Sequence, residues 1–235
     1  MKFKKVTHVI FDMDGLILDT ETLYTVAINT ICNQYGKEYL FHHKLDIMGT
    51  SQQYAADYIV KTLELPISSQ EYIDQLQEQY KKLMNNPGLM PGAERLIKHL
   101  HKHNIPIAVA TSSGLDSVAI KTKNHQNLFA LFGHLVSGSS DPEVKDSKPA
   151  PDIFLVCASR FPKCPDPSSC LVFEDAPNGV QAAVSAGMQV VMVPDPRIPD
   201  DKKEQATQVL HSLEEFKPED FGLPPFPKCD KEESG

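Results

Sequence analysis

Val6-Thr7-His8-Val9-Ile10-Phe11-Asp12-Met13-Asp14-Gly15 is a short β-branched apolar run that stops on two carboxylates and a glycine. Such a run predicts a buried strand ending in a polar turn. Similar runs recur at Ile107–Ala110, Leu135-Val136, Leu171-Val172-Phe173 and Gln189–Val193. Helical patterns lie between the later ones, over 92–103, 115–124, 151–160 and 178–186. Short, wholly apolar strands alternating with helices indicate an α/β fold with a doubly wound parallel sheet covered on both faces.

The rhythm breaks between 20 and 86. Three helical patterns stand there without a strand, at 21–35, 51–65 and 68–84, and in the first Leu23, Val26, Ala27, Thr30 and Ile31 recur at helical spacing. An all-helical insert of this length reads as a second small domain, and Asn85-Asn86-Pro87-Gly88 supplies the exit linker. The expected division is a core of 1–19 and 87–235 with a helical domain of 20–86. The Pro-rich 223–228 segment reads as an extended strap or as unpacked chain, and 230–235 as a frayed tail.

Composition narrows the function. With 23 Lys and Arg against 31 Asp and Glu, the net charge is −8, which disfavours a broad basic face for a nucleic-acid polymer. No apolar run approaches the roughly 20 residues of a membrane helix. The five cysteines form no CxxC pair, so neither a disulfide framework nor a zinc site is expected, and a cytoplasmic setting is. His99, His101 and His103 alternate near a helix end and read as surface residues. His42-His43 reads as a loop.

In doubly wound sheets ligands bind beyond the carboxyl ends of the strands. Asp12 and Asp14 stand there with a glycine that permits a sharp turn, although alone they read more readily as a strand-ending Asx turn. The second strand ends in Thr111-Ser112-Ser113-Gly114, hydroxyls and N–H groups suited to a phosphate or to capping a helix. The fourth ends in Glu174-Asp175-Ala176-Pro177, a pair of acids suited to a hard cation or, again, to a cap. Lys148 precedes the helix between the third and fourth strands; alone it reads as a solvated loop residue. Four weak signals in this order, each at a strand end or in the loop beyond it, are strong together.

The set Asp12-x-Asp14, Thr111, Lys148 and Glu174-Asp175 resembles the haloacid dehalogenase (HAD) superfamily of phosphatases, with a helical cap inserted after the first motif. The resemblance runs from about Val6 to Phe221 and implies a Rossmann-like core. It implies Asp12 as the nucleophile that is phosphorylated and Asp14 as the acid/base that protonates the leaving oxygen. For that task the protonated form of Asp14 must be populated near neutrality, which an enclosed site favours. It implies Mg²⁺ as cofactor, held by Asp12, Asp175 and the backbone carbonyl of Asp14, with Glu174 either a direct ligand or a support behind them. Thr111, Ser112 and Lys148 would bind the phosphoryl oxygens.

A halide needs no proton to leave, so Asp14 favours phosphoryl transfer over dehalogenation. The partner expected is a small phosphorylated metabolite, met by a monomer. Asp141–Lys145, Lys148–Leu155, Leu171–Val180 and Gly187–Pro194 narrow the resemblance to phosphatases of pseudouridine 5′-phosphate. Sugar-phosphate or flavin-mononucleotide hydrolysis, or a catalytically silent binder, stay open. Met48-Gly49-Thr50-Ser51-Gln52 resembles the cap's substrate loop, with Gln52 where a mutase carries a cationic Arg for a second phosphate, although Gln52 reads equally as an ordinary exposed helix residue. Ser147 replaces a customary Gly before Lys148, which matters only if that position needs positive φ.

Overall fold

The computed structural model describes residues 1–48 and 50–227. Six parallel strands form one sheet in the order β3-β2-β1-β4-β5-β6: β1 His8–Phe11, β2 Ile107–Thr111, β3 His134–Ser137, β4 Cys170–Glu174, β5 Gln189–Met192 and β6 Gln208–Val209. The helices are α1 Thr20–Gln34, α2 Phe41–Ile47, α3 Gln52–Thr62, α4 Ser69–Leu83, α5 Ala93–Lys102, α6 Leu115–Thr122, α7 Gln126–Phe129, α8 Asp152–Ser159 and α9 Pro177–Ser185.

Alternate side chains of the central strands enter opposite cores. Val9 and Phe11 of β1, Leu171 and Phe173 of β4 and Val109 of β2 pack under α5, led by Leu96, Ile97 and Leu100. Ile10, Val172 and Ala108 face the other way, against Phe154 and Cys157 of α8 and Val180 and Ala183 of α9. This two-sided burial explains why the strands read as continuous apolar runs.

Helices α1 to α4 stand between β1 and β2 in sequence and hold a third apolar cluster of their own. Ala27, Ile28 and Ile31 of α1 meet Ala56 and Ile59 of α3 and Tyr72 and Leu76 of α4. Side chains start these helices: Asp19 caps α1, Ser51 caps α3, and Ser68 with Glu71 forms a capping box on α4.

The structure departs from the sequence reading in several places. His42 and His43 lie inside α2, whose seven residues are too few to show a period. β6 adds an edge strand only two residues long. His99 is buried, its Nε2 2.8 Å from the Pro224 carbonyl, so it anchors the strap instead of facing solvent. Phe226 completes that strap between His99 and the Arg95 guanidinium. Ser147 has no positive φ, so the missing glycine strains nothing. The expected tail at 230–235 lies outside the described residues.

Among the described residues no helix is long and apolar enough to cross a membrane.

Phe173 stacks on Phe11 with centroids 5.0 Å apart and meets Phe216 edge-on at 4.8 Å. Phe173→Ala should therefore cost about 3–5 kcal/mol through a cavity in the centre of the sheet. Urea denaturation should show a lower midpoint at unchanged slope.

Candidate active site

The sheet order sets the site. β1 lies between β2 and β4, and their C-terminal ends open into a cavity of about 870 Å³ between the strand ends and α1, α3 and α4. Asp12, Asp14, Thr111, Ser112, Lys148, Glu174 and Asp175 all line it. Every residue singled out in the sequence for chemistry is thus brought to one place.

Asp12 continues the ladder past β1, its N–H donating to the Phe173 carbonyl at 2.9 Å, so its side chain emerges beside β4. The Lys148 ammonium, buried like Asp12, donates to Asp12 Oδ1 and Glu174 Oε1, each at 2.6 Å, and to the Ala110 carbonyl at 3.2 Å. The loop that delivers this lysine is tied down at both ends. Asp152 Oδ2 accepts from the Lys145 and Asp146 N–H groups, and Arg160 clasps Asp141 and Glu143.

Glu174 is fully committed. Its second oxygen accepts the N–H groups of Asp175 and Ala176 at 3.1 and 3.2 Å. It fits because residue 179, in the first turn of α9, is a glycine: a Cβ there would stand 1.8 Å from Glu174 Oε1. Gly15 serves the same purpose on the β1 side. Its φ of +79° disfavours any side chain, and a Cβ would lie 2.3 Å from Asp175 Oδ2.

Carboxylate oxygens of Asp12, Glu174 and Asp175 come within 4.8 Å of one another. Burial pushes the Asp12 carboxyl up to about 7; Lys148 opposes this, while Glu174 and Asp14 add to it. Asp175 is pushed well above the usual range, by burial first and then by Glu174 and Asp12. Burial alone would lower Lys148, but Asp12 and Glu174 outweigh it and the ammonium is held charged. Three acids thus share one cation. An all-oxygen donor set with uncompensated negative charge is the chemistry a hard divalent ion requires, and the residues fit Mg²⁺.

Asp14 is placed differently. Its side chain turns away from the acid cluster: Oδ1 accepts from Lys121 Nζ at 2.7 Å, and Oδ2 from Ser113 Oγ at 2.8 Å and Thr111 Oγ1 at 3.4 Å. The enclosed surroundings expected of it are therefore only partial, with its side chain 18% exposed and a cation in contact. Lys121 and Tyr24, whose hydroxyl also binds Lys121, were not foreseen as site residues, and Ser113 stood in the motif closing β2 without a role of its own. The available signal was Lys121 three residues after Val118, on the buried stripe of α6.

Ser112 is exposed toward the cavity, whereas Thr111 is buried with its hydroxyl also accepting the Ser113 N–H at 3.1 Å. The expected cap of α6 by this loop comes from elsewhere, since the Leu115 N–H donates to Ser140 Oγ. Gln52 lines the far wall. So does Lys44, paired with Glu21 at 2.6 Å. Gly49 of the expected substrate loop lies outside the described residues.

This arrangement, two acids closing β1, a hydroxyl closing β2, a lysine before α8 and a second pair of acids closing β4, defines a class. The chain belongs to the haloacid dehalogenase-like hydrolases, whose family model matches residues 9–193. It is 59% identical to a probable pseudouridine-5′-phosphatase of Drosophila melanogaster, over 95% of this chain and 96% of that one. It is 47% identical to (DL)-glycerol-3-phosphatase 2 of Arabidopsis thaliana, over 94% and 93% of the two chains. The fold is shared with a HAD family hydrolase of Deinococcus radiodurans solved with bound phosphate and sodium, at TM-score 0.78 and 21% identity, over 95% of this chain and all of that one.

Gly179→Ala should drive the Glu174 carboxylate out of its seat while leaving Asp12 and Asp175 themselves unaltered. Calorimetric titration with Mg²⁺ should then show affinity reduced about 10–100-fold, as for other losses of groups that support a metal's ligands. The far-ultraviolet circular dichroism should stay unchanged.

Proposed function

We propose that the protein is a Mg²⁺-dependent phosphomonoesterase that works through a phosphorylated Asp12 and hydrolyses pseudouridine 5′-phosphate. The observation that carries the reaction is the division of labour between the two acids closing β1. Asp12 faces the cation-binding cluster, and Asp14 faces a separate set of donors. The substrate rests on the 59% identity to the Drosophila relative.

Asp12 Oδ attacks phosphorus while the ester P–O bond breaks and its electron pair passes to the leaving oxygen, which takes a proton from Asp14. Water then attacks the aspartyl phosphate, Asp14 recovers a proton from it, and the Asp12–phosphorus bond breaks. Lys148, Thr111 and the Ser112 N–H hold the remaining phosphoryl oxygens. Asp12, Asp175 and the carbonyl of Asp14 would hold Mg²⁺, which when bound would supply charge neutralisation for the approach of an anion to an anionic phosphate. Glu174 keeps Lys148 and the β4 turn in place.

Residues 20–86 form the cap that admits the substrate and excludes water. Its wall offers Tyr24, Tyr39, Tyr72 and Tyr80 as aromatic surfaces. Its cation, Lys44, is already neutralised by Glu21. Such a wall suits an uncharged leaving group and, among the described residues, offers a second phosphate no unpaired lysine or arginine, which favours hydrolysis over a mutase cycle.

Phosphate release should be measured with pseudouridine, sugar, glycerol and flavin monophosphates, taking kcat/KM as the readout. Selective turnover of pseudouridine 5′-phosphate is expected, and Asp12→Asn and Asp14→Asn should each abolish it. Preference for another ester would discard the substrate, and activity in purified Asp12→Asn would discard the covalent mechanism. Mg²⁺ at a hundredfold its dissociation constant should add about 2.7 kcal/mol of stability. That corresponds to a melting midpoint raised by about 5–10 °C in a chain of this size, and Asp175→Asn should remove the shift.

A further inference from the structure

Lys121 is the most deeply buried lysine of the site, its side chain 2% exposed. It sits on α6 against the usual pattern: Leu115 and Ile120 of that helix are 56% and 41% exposed, while the lysine points inward with Val118. A buried ammonium tolerates its loss of water only when its donors are paired. Three acceptors meet it: Asp14 Oδ1 at 2.7 Å, the Tyr24 hydroxyl at 2.8 Å and Ser113 Oγ at 2.9 Å. All three partners line the cavity and Lys121 does not, so it reaches the substrate only through them.

The consequence falls on Asp14. Lys121 fixes one carboxylate oxygen and Ser113 the other, while Ser113 is itself held by Lys121. Proton transfer requires the acid within about 2.6–3.2 Å of the leaving oxygen. A carboxyl on a loop of this kind has rotational freedom that the lysine removes. Tyr24 brings in a second element. It belongs to α1, and its ring packs edge-on against Tyr80 of α4 at 5.0 Å. The lysine therefore joins the side chain of Asp14 to the helices that roof the cavity.

We infer that Lys121 is a positioning residue for proton transfer by Asp14, and that its bond to Tyr24 makes this placement depend on the seating of α1 over the site. The inference rests on the reading of Asp14 as the acid/base given above.

The test compares two esters in the full-length Mg²⁺ enzyme. An alkyl phosphate, pseudouridine 5′-phosphate or the best substrate of the panel, needs a proton on its leaving oxygen. p-Nitrophenyl phosphate releases a phenolate that leaves without one. The readout is kcat/KM, which reports the first, phosphorylating step.

Lys121→Met should lower kcat/KM for the alkyl ester by about 10²-fold, within the range of general acid catalysis, chiefly through kcat. The loss for the nitrophenyl ester should be less than a tenth as large. Tyr24→Phe keeps the ring packed on Tyr80 and removes only the hydroxyl; it should move the same ratio in the same direction by a few-fold. It serves also as the informative variant if Lys121→Met does not fold. Equal losses on both esters would mean a merely structural lysine and overturn the inference. An unchanged ratio in folded Tyr24→Phe would overturn the link to α1. Asp14→Asn is the control: if it too lost both esters equally, the acid/base reading would fail and this inference with it. If Asp14→Asn discriminates and Lys121→Met does not, only the inference fails.

Discussion

Three buried or half-buried carboxylates and one ammonium share the ends of β1 and β4, and most of the surrounding structure exists to keep them there. Like charges in a poorly hydrated site repel strongly. Lys148 offsets part of this through two bonds of 2.6 Å, and the rest appears as the upward displacement of Asp12 and Asp175. The imbalance is local and opposite in effect to what a phosphate needs. A cation in the cluster would reverse it, which makes cation binding and phosphate binding a single problem in the proposed mechanism.

The backbone bears the geometric side of that constraint. Because β1 pairs directly with β4, Asp12 emerges within reach of Glu174 without any long side chain. The approach is so close that both flanking turns exclude a Cβ, at Gly15 against Asp175 and at Gly179 against Glu174. Lys148 comes from outside the sheet, so its loop is pinned by Asp152 and by the Arg160 clasp. Those residues do not line the cavity, yet they determine where the one charge compensating the acid cluster stands.

What was legible in the sequence follows from how local each signal is. Continuous apolar runs ending on polar residues mark β1, β2 and β4 because both faces of those strands are buried, and the site residues follow from standing at their ends. β6 and α2 were missed since two and seven residues carry no period. His99 was misread because its partner, Pro224, is 125 residues away. Lys121 is the instructive failure. Its helix exposes Leu115 and Ile120 and buries a lysine, an inversion of the usual pattern that makes sense only once Asp14 and Tyr24 are seen against it. Departures of this kind concentrate where function constrains a fold.

The far wall of the cavity distinguishes the proposed hydrolysis from phosphoryl shuttling on the same scaffold. A mutase must hold a second phosphate opposite the one being transferred, and a dianion there demands an available cation. Gln52 has no charge to give, and Lys44 stands 2.6 Å from Glu21. Freeing it would leave the Glu21 carboxylate, its side chain 34% exposed, facing the incoming phosphate. In the proposed mechanism the pair would act as one neutral unit toward a leaving group, and would reject a second anion by repulsion from Glu21 as much as by the absence of attraction from Lys44. Specificity of that kind comes from an unfavourable element as well as a favourable one. It leaves the tyrosines to read the shape of the group that departs.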